Sequence, residues 1–170
     1  KFKIPDMLAN RADVYNLGDI AGGNAEAFKL SYLENALTSN AALSVIASRS
    51  HKDVHGVVKI ATTGSAEGIE WDATYSAEEL ADAVAVMKKL LRVRDVLLRV
   101  NEEYIRSAAQ ADEFRTEPAF KLQGSYRDMN KLAERVVPVM NDAELEATLA
   151  AHYRNQAQTL TTGAEANLLK

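Results

Sequence analysis

The segment from Ser76 to roughly Ala111 constrains the fold more than any other part of this sequence. Ser76 followed three residues on by Glu79 is a capping box, so a helix is expected to open there. At about 100° per residue, Lys88, Arg92, Asp95, Arg99, Glu102 and Arg106 share one narrow arc. Leu80, Val84, Val86, Met87, Leu90, Leu91, Val93, Leu97, Leu98, Val100, Tyr104 and Ile105 cover about half the cylinder. A helix apolar over half its circumference has to be surrounded, which makes it the central helix of a bundle. Running well past about 25 residues, it is expected to bend or split.

Composition agrees with a packed interior. Of 170 residues, 47% are hydrophobic and 26% charged, which excludes a chain disordered throughout. The formal net charge of -4 argues against coating nucleic acid by bulk charge. There is no cysteine, which removes disulfides, thiol nucleophiles and Cys-bearing zinc sites, and fits a reducing cytoplasm, the expected compartment. No run approaches the ~18 apolar residues of a membrane span, so no membrane partner is expected.

Along the rest of the chain, Pro5 to Asn10 reads as a helical turn leading to a short strand near Asp13 to Leu17, and Gly22-Gly23 breaks that segment. Phe28, Tyr32, Leu33, Ala36 and Leu37 recur at helical spacing, and Ser39-Asn40 marks a break before a second short helix. Val54 to Ala61 is rich in β-branched residues, and Ile69, Trp71, Ala73 and Tyr75 alternate. With Thr62-Thr63-Gly64-Ser65 between them, the two runs predict a β-hairpin over about 54–75, lying against helices because two strands alone are marginal. Three further helices are expected near Ser125, at Asn141 or Asp142, and at Thr162, with Pro138 closing the first of them. The fold class that follows is mainly α, a helical bundle with one small β-hairpin. The last helix has barely two turns before the sequence stops and the first residue is not methionine, so a fragment of a longer protein is expected.

Most catalytic signatures are absent: no phosphate loop, no G-x-S-x-G elbow, no H-E-x-x-H and no dinucleotide fingerprint. His51 and His55, four apart, could clamp a metal if helical, but they fall at the expected loop-to-strand junction with no further ligand close in sequence. They read as surface histidines, and no metal is expected. His152, mid-helix, reads as structural or solvated. Glu102-Glu103 and Asp112-Glu113 read as solvated charges, because adjacent residues on a helix point apart.

Two polar residues interrupt the apolar stripe of the long helix. Arg94 is flanked by Leu90, Leu91, Leu97 and Leu98, and Asn101 continues the stripe seven residues on. A guanidinium in that setting snorkels outward, pairs with a buried carboxylate, or faces a subunit or domain partner. Arg94 and Asn101 are therefore the candidates for a partner interface.

Two segments carry a family resemblance. Ile4-Pro5-Asp6-Met7-Leu8-Ala9-Asn10-Arg11-Ala12-Asp13 resembles the "L-P-x-x-L-L-x-R-F-D" stretch of AAA+ ATPases in the MoxR-like, magnesium-chelatase and helicase-related branch. Phe120 to Leu132, FKLQGSYRDMNKL, looks like the sensor 2 segment of the same ATPases, usually "G-S-P-R" at the start of a lid helix. Over nearly the whole chain, the runs IPDMLANRADVYNLGDI, FKLQGSYRDMNKLAERVVPVMN and HYRNQAQTLTTGAEANLL look like the C-terminal part of large bacterial proteins labelled DNA repair ATPases. Ala12 departs from the family's bulky apolar residue, and Tyr126 from its usual proline.

The resemblance implies an AAA+ lid-like bundle in three parts: 1–20 as the tail of an α/β ATPase core, 21–115 as a helical insertion with the hairpin and the long helix of about 77–111, and 116–170 as a lid carrying sensor 2. It implies that Arg127, with Ser125 and Gly124 at the helix start, contacts nucleotide in cis, and that Arg11 acts catalytically in trans on a neighbouring subunit's nucleotide. ATP and Mg²⁺ would belong to the parent, with none expected on this chain alone. Other AAA+ subunits of a homo-oligomeric ring would be its partners, with a protein partner and DNA as further candidates. The alternative is a non-catalytic helical module that binds a protein partner.

Overall fold

The computed structural model describes residues 25–108 and 122–158. Six helices run through them: α1 (Ala25–Ala36), α2 (Ala41–Arg49), α3 (His51–Thr63), α4 (Ala77–Ala108), α5 (Leu122–Ala133) and α6 (Asp142–Ala157). The mainly α bundle is as expected. The 32 residues of α4 form one unsplit helix. It opens at the expected capping box, with the Ser76 N–H donating to Glu79 Oε2 at 2.8 Å and the Glu79 N–H to Ser76 Oγ at 3.0 Å.

Helices α1, α2, α3 and α5 all pack on α4, α1 also packs on α5, and α6 closes on α5. Val86, Met87, Leu90, Val93 and Leu97 of α4 are buried in one core with Tyr32, Leu33, Leu43, Ile46, Val57, Met129, Leu132, Leu145 and Leu149. That core runs across residue 115, so α5 packs with the preceding helices as part of the same body. The charged arc of α4 lies outside, where Arg92 pairs with Glu146 at 3.0 Å and Arg106 with Glu103 at 2.8 Å.

Caps set the ends. Asn40, expected only as a break, caps α2 by accepting from the Ala42 and Leu43 N–H groups, while its amide donates to the Ala133 and Val136 carbonyls, each at 2.8 Å. It thereby caps one helix and ties down the C-terminal end of another. Asn141 and Glu144 form the expected box at the start of α6. Helix α5 ends at Ala133, well before Pro138.

The β-hairpin is replaced by a helix and a loop, and the described residues contain no strand. Val54 and Val57 are buried on one side of α3 with Val58 and Ala61 partly buried beside them, so core packing at helical spacing outweighs β-propensity. Ser50 caps the helix and Gly64, at φ 75°, ends it in a left-handed conformation suited to glycine. The alternation of Ile69, Trp71, Ala73 and Tyr75 does mark a two-faced chain, since these residues are half-buried and their neighbours exposed. What they cover is α3. Gly56 is the point of closest approach: a Cβ there would meet Ile69 Cγ2 at 2.9 Å and the Trp71 ring at 3.1 Å. His51 and His55 accordingly lie in the first two turns of a helix, not at a strand junction.

Candidate functional site

Residues 124–129 of α5 hold the segment whose sequence resembles sensor 2. Ser125 is buried, and its hydroxyl donates to Tyr32 Oη at 3.0 Å and accepts from Asn101 Nδ2 at 2.7 Å. Asn101 Nδ2 also reaches Tyr32 Oη at 3.0 Å, so α1, α4 and α5 are joined by a closed triangle of neutral polar groups. Burial pushes the Tyr32 hydroxyl up to about 12, against the opposing pull of its bond with Ser125, so it stays a neutral hydroxyl.

Tyr126, where the resembled family carries proline, anchors the same helix. Its Oη lies 2.8 Å from Ser31 Oγ and its ring 4.6 Å from that of Tyr32. Asp128 turns toward α6, accepting from Gln156 Nε2 at 2.9 Å with His152 Nε2 3.4 Å away. His152 is buried, as a structural residue. Tyr153 beside it is raised by burial and by the Asp128 charge, and its hydroxyl has no hydrogen-bond partner among the described residues.

Between these inward-turned residues, Arg127 is exposed and makes no ion pair among the described residues. A step of about 200° separates it from Ser125, which puts them on opposite sides of α5. The described part of α5 already includes Leu122 and Gln123, so Ser125 and Arg127 both lie within the helix and Ser125 is an internal helical residue. With its hydroxyl committed to Tyr32 and Asn101, Ser125 has no free polar group for a phosphate. Gly124 is half-buried.

Asn101 is also corrected. It is 6% exposed and bonded to groups 69 and 24 positions away in sequence, so it is an internal tie and no partner surface. Arg94 pairs with its own neighbour: its side chain is 14% exposed and the guanidinium bonds Asp95 Oδ1 at 2.9 Å, the aspartate itself being 58% exposed. Arg11, with the helical turn and strand of the first twenty residues, lies outside the described residues, as does the helix expected at Thr162.

A separate open groove of about 980 Å³ runs between the end of α3, the first half of α4 and the start of α6. Leu80, Val84 and Leu145 line it, with Lys88, Arg92 and Glu146 at its edge, and among the described residues Arg94, Asn101, Gly124, Ser125 and Arg127 are not part of its lining. No helix among the described residues is long and apolar enough to cross a membrane.

The role of one further group was not read from the sequence. Asp53, 1% exposed, accepts from the Asp72 N–H at 2.9 Å, the Ala73 N–H at 3.0 Å and Tyr75 Oη at 2.8 Å, and so fastens the 64–76 loop to α3. Burial alone would raise its carboxyl, but the hydrogen bonds from Asp72, Tyr75 and Ala73 outweigh that and hold it below the ordinary carboxylate range. Only the Ser50–Asp53 spacing, a helix-start signal, hinted at it in the sequence.

Comparison with protein-family models, curated proteins and solved structures returns no match.

Proposed function

We propose that this chain is the C-terminal helical part of an AAA+ ATPase and that Arg127 senses the nucleotide bound by the ATPase core. One observation carries the reading: Ser125, Tyr126 and Asp128 tie α5 inward on three sides, while Arg127 alone of residues 125–129 is exposed. A guanidinium held on a fixed helix makes a charge-assisted bond to a γ-phosphate oxygen and loses it on hydrolysis, which couples nucleotide state to the position of the bundle. Arg11 takes the trans role by resemblance, stabilising charge during phosphoryl transfer across a ring interface. ATP and Mg²⁺ are held by the parent's core, and DNA repair is the cellular setting that the resemblance suggests.

In the longer parent, Arg127→Ala is expected to lower the ATP hydrolysis rate by roughly tenfold or more, the scale of one charge-assisted phosphate contact, with the circular dichroism of the protein unchanged. An unchanged rate would reject the sensor role.

A second reading, a non-catalytic module for a protein partner, is supported by the open groove beside α4 and by the internal role of Ser125. It gains if Arg127→Ala leaves turnover intact.

A further inference from the structure

The geometry points to a divalent transition-metal site on the outer face of α3, formed by His51, His55 and Glu34. Their ligand atoms all lie within 4.8 Å of one another, and all three side chains are exposed. The arrangement follows from how α3 is seated. Asp53, Val54 and Val57 are buried on its inner side, so His51 and His55, about 40° apart around the axis, are turned outward together. Their rings stand 5.9 Å apart at 88°. The last turn of α1 adds Glu34, whose Oε1 is 3.8 Å from His51 Nε2. The nearest cation in sequence, Lys52, is drawn away from the cluster to Asp72 at 2.8 Å.

Two imidazole nitrogens and one carboxylate oxygen suit Zn²⁺ and its neighbours Co²⁺ and Ni²⁺, whereas Mg²⁺ and Ca²⁺ favour all-oxygen sets. Around tetrahedral Zn²⁺, with bonds of about 2.0–2.1 Å, donors sit roughly 3.3 Å apart. Exposed side chains close the remaining gap by rotating, with no shift of either helix. Three protein ligands leave a fourth position for water or for an anionic group. The ion would join the end of α1 to the start of α3, which otherwise pack mainly on other helices: α1 on α4 and α5, α3 on α2 and α4. The site is separate from Arg127 and its test is independent of the ATPase reading.

The test titrates the 170-residue chain with Zn²⁺ by calorimetry and with Co²⁺ by visible absorption. One saturable equivalent is expected, with Co²⁺ bands bleached by added Zn²⁺ and untouched by excess Mg²⁺. His51→Ala, His55→Ala and Glu34→Gln should each weaken Zn²⁺ binding by roughly ten- to a hundredfold. The thermal midpoint of the wild type should rise with Zn²⁺ and that of the double variant His51→Ala/His55→Ala should not. Because the three side chains are exposed, the metal-free variants should match the wild type in circular dichroism; His51→Gln serves in place of any that does not. Absence of saturable binding, or affinity unmoved by either histidine change, overturns the site. Affinity unmoved by Glu34→Gln overturns the three-ligand arrangement.

Discussion

Two buried polar clusters hold this bundle together, and they are built on different principles. Around Asp53 a single charge accepts two backbone N–H groups and one phenol, and the element it secures is an irregular loop. Around Tyr32, Asn101 and Ser125 every group is neutral, every bond runs between side chains, and the elements secured are three helices. Helices satisfy their own backbone, so neutral side chains suffice to register them. An extended loop laid on a helix leaves N–H groups that no strand accepts, and a carboxylate on the helix takes that part. The comparison predicts that removing the charge strands donors that have no other acceptor, while removing one neutral member lets the other two close on each other.

Asp53→Asn tests this most severely. It sets an amide NH₂ against backbone N–H donors and should cost about 3–5 kcal/mol of unfolding free energy, read by chemical denaturation. The same variant should flatten the acid limb of the stability curve. The folded carboxyl titrates below its unfolded value, so its contribution is complete above about pH 4 and is lost as pH falls through the folded value. Wild type and variant should therefore converge in acid, and curves that stay parallel would mean the charge is not what matters.

A smaller loss is expected for Asn101→Ala, about 1–3 kcal/mol, because Ser125 Oγ still reaches Tyr32 Oη at 3.0 Å. A loss equal to that of Asp53→Asn would erase the distinction between the clusters. The mildest change is Gly56→Ala. Helix propensity favours alanine by about 1 kcal/mol, yet its Cβ crowds Ile69 and Trp71. A net loss on the order of 1 kcal/mol is expected by thermal melting, and a gain would show that the loop yields where Asp53 does not hold it.

How much of this was legible depended on whether the signal was local. The Ser76–Glu79 box, the Asn141 start, the break at Asn40 and the outward arc of α4 are set by neighbours within one or two turns, and each was readable. The site residues were legible only as types. Arg127 being exposed follows from its position opposite Ser125, but Ser125 is internal only because Tyr32 and Asn101 converge on it from 93 and 24 positions away. Asn101 looked like a partner contact for the same reason: a lone amide on an apolar stripe does not say whether its partners lie within the fold or outside it.

By itself the sequence determined a helical bundle around one half-apolar central helix, because side-chain periodicity and caps are short-range. It also determined that Ile69 to Tyr75 would be two-faced. Only the tertiary structure decided that Val54 to Ala61 is helical, since β-branched residues follow whichever surface buries them, and here that surface is α4 and the loop. That decision turned Asp53 inward to the loop and His51 and His55 outward to Glu34, pairing residues that no sequence spacing links.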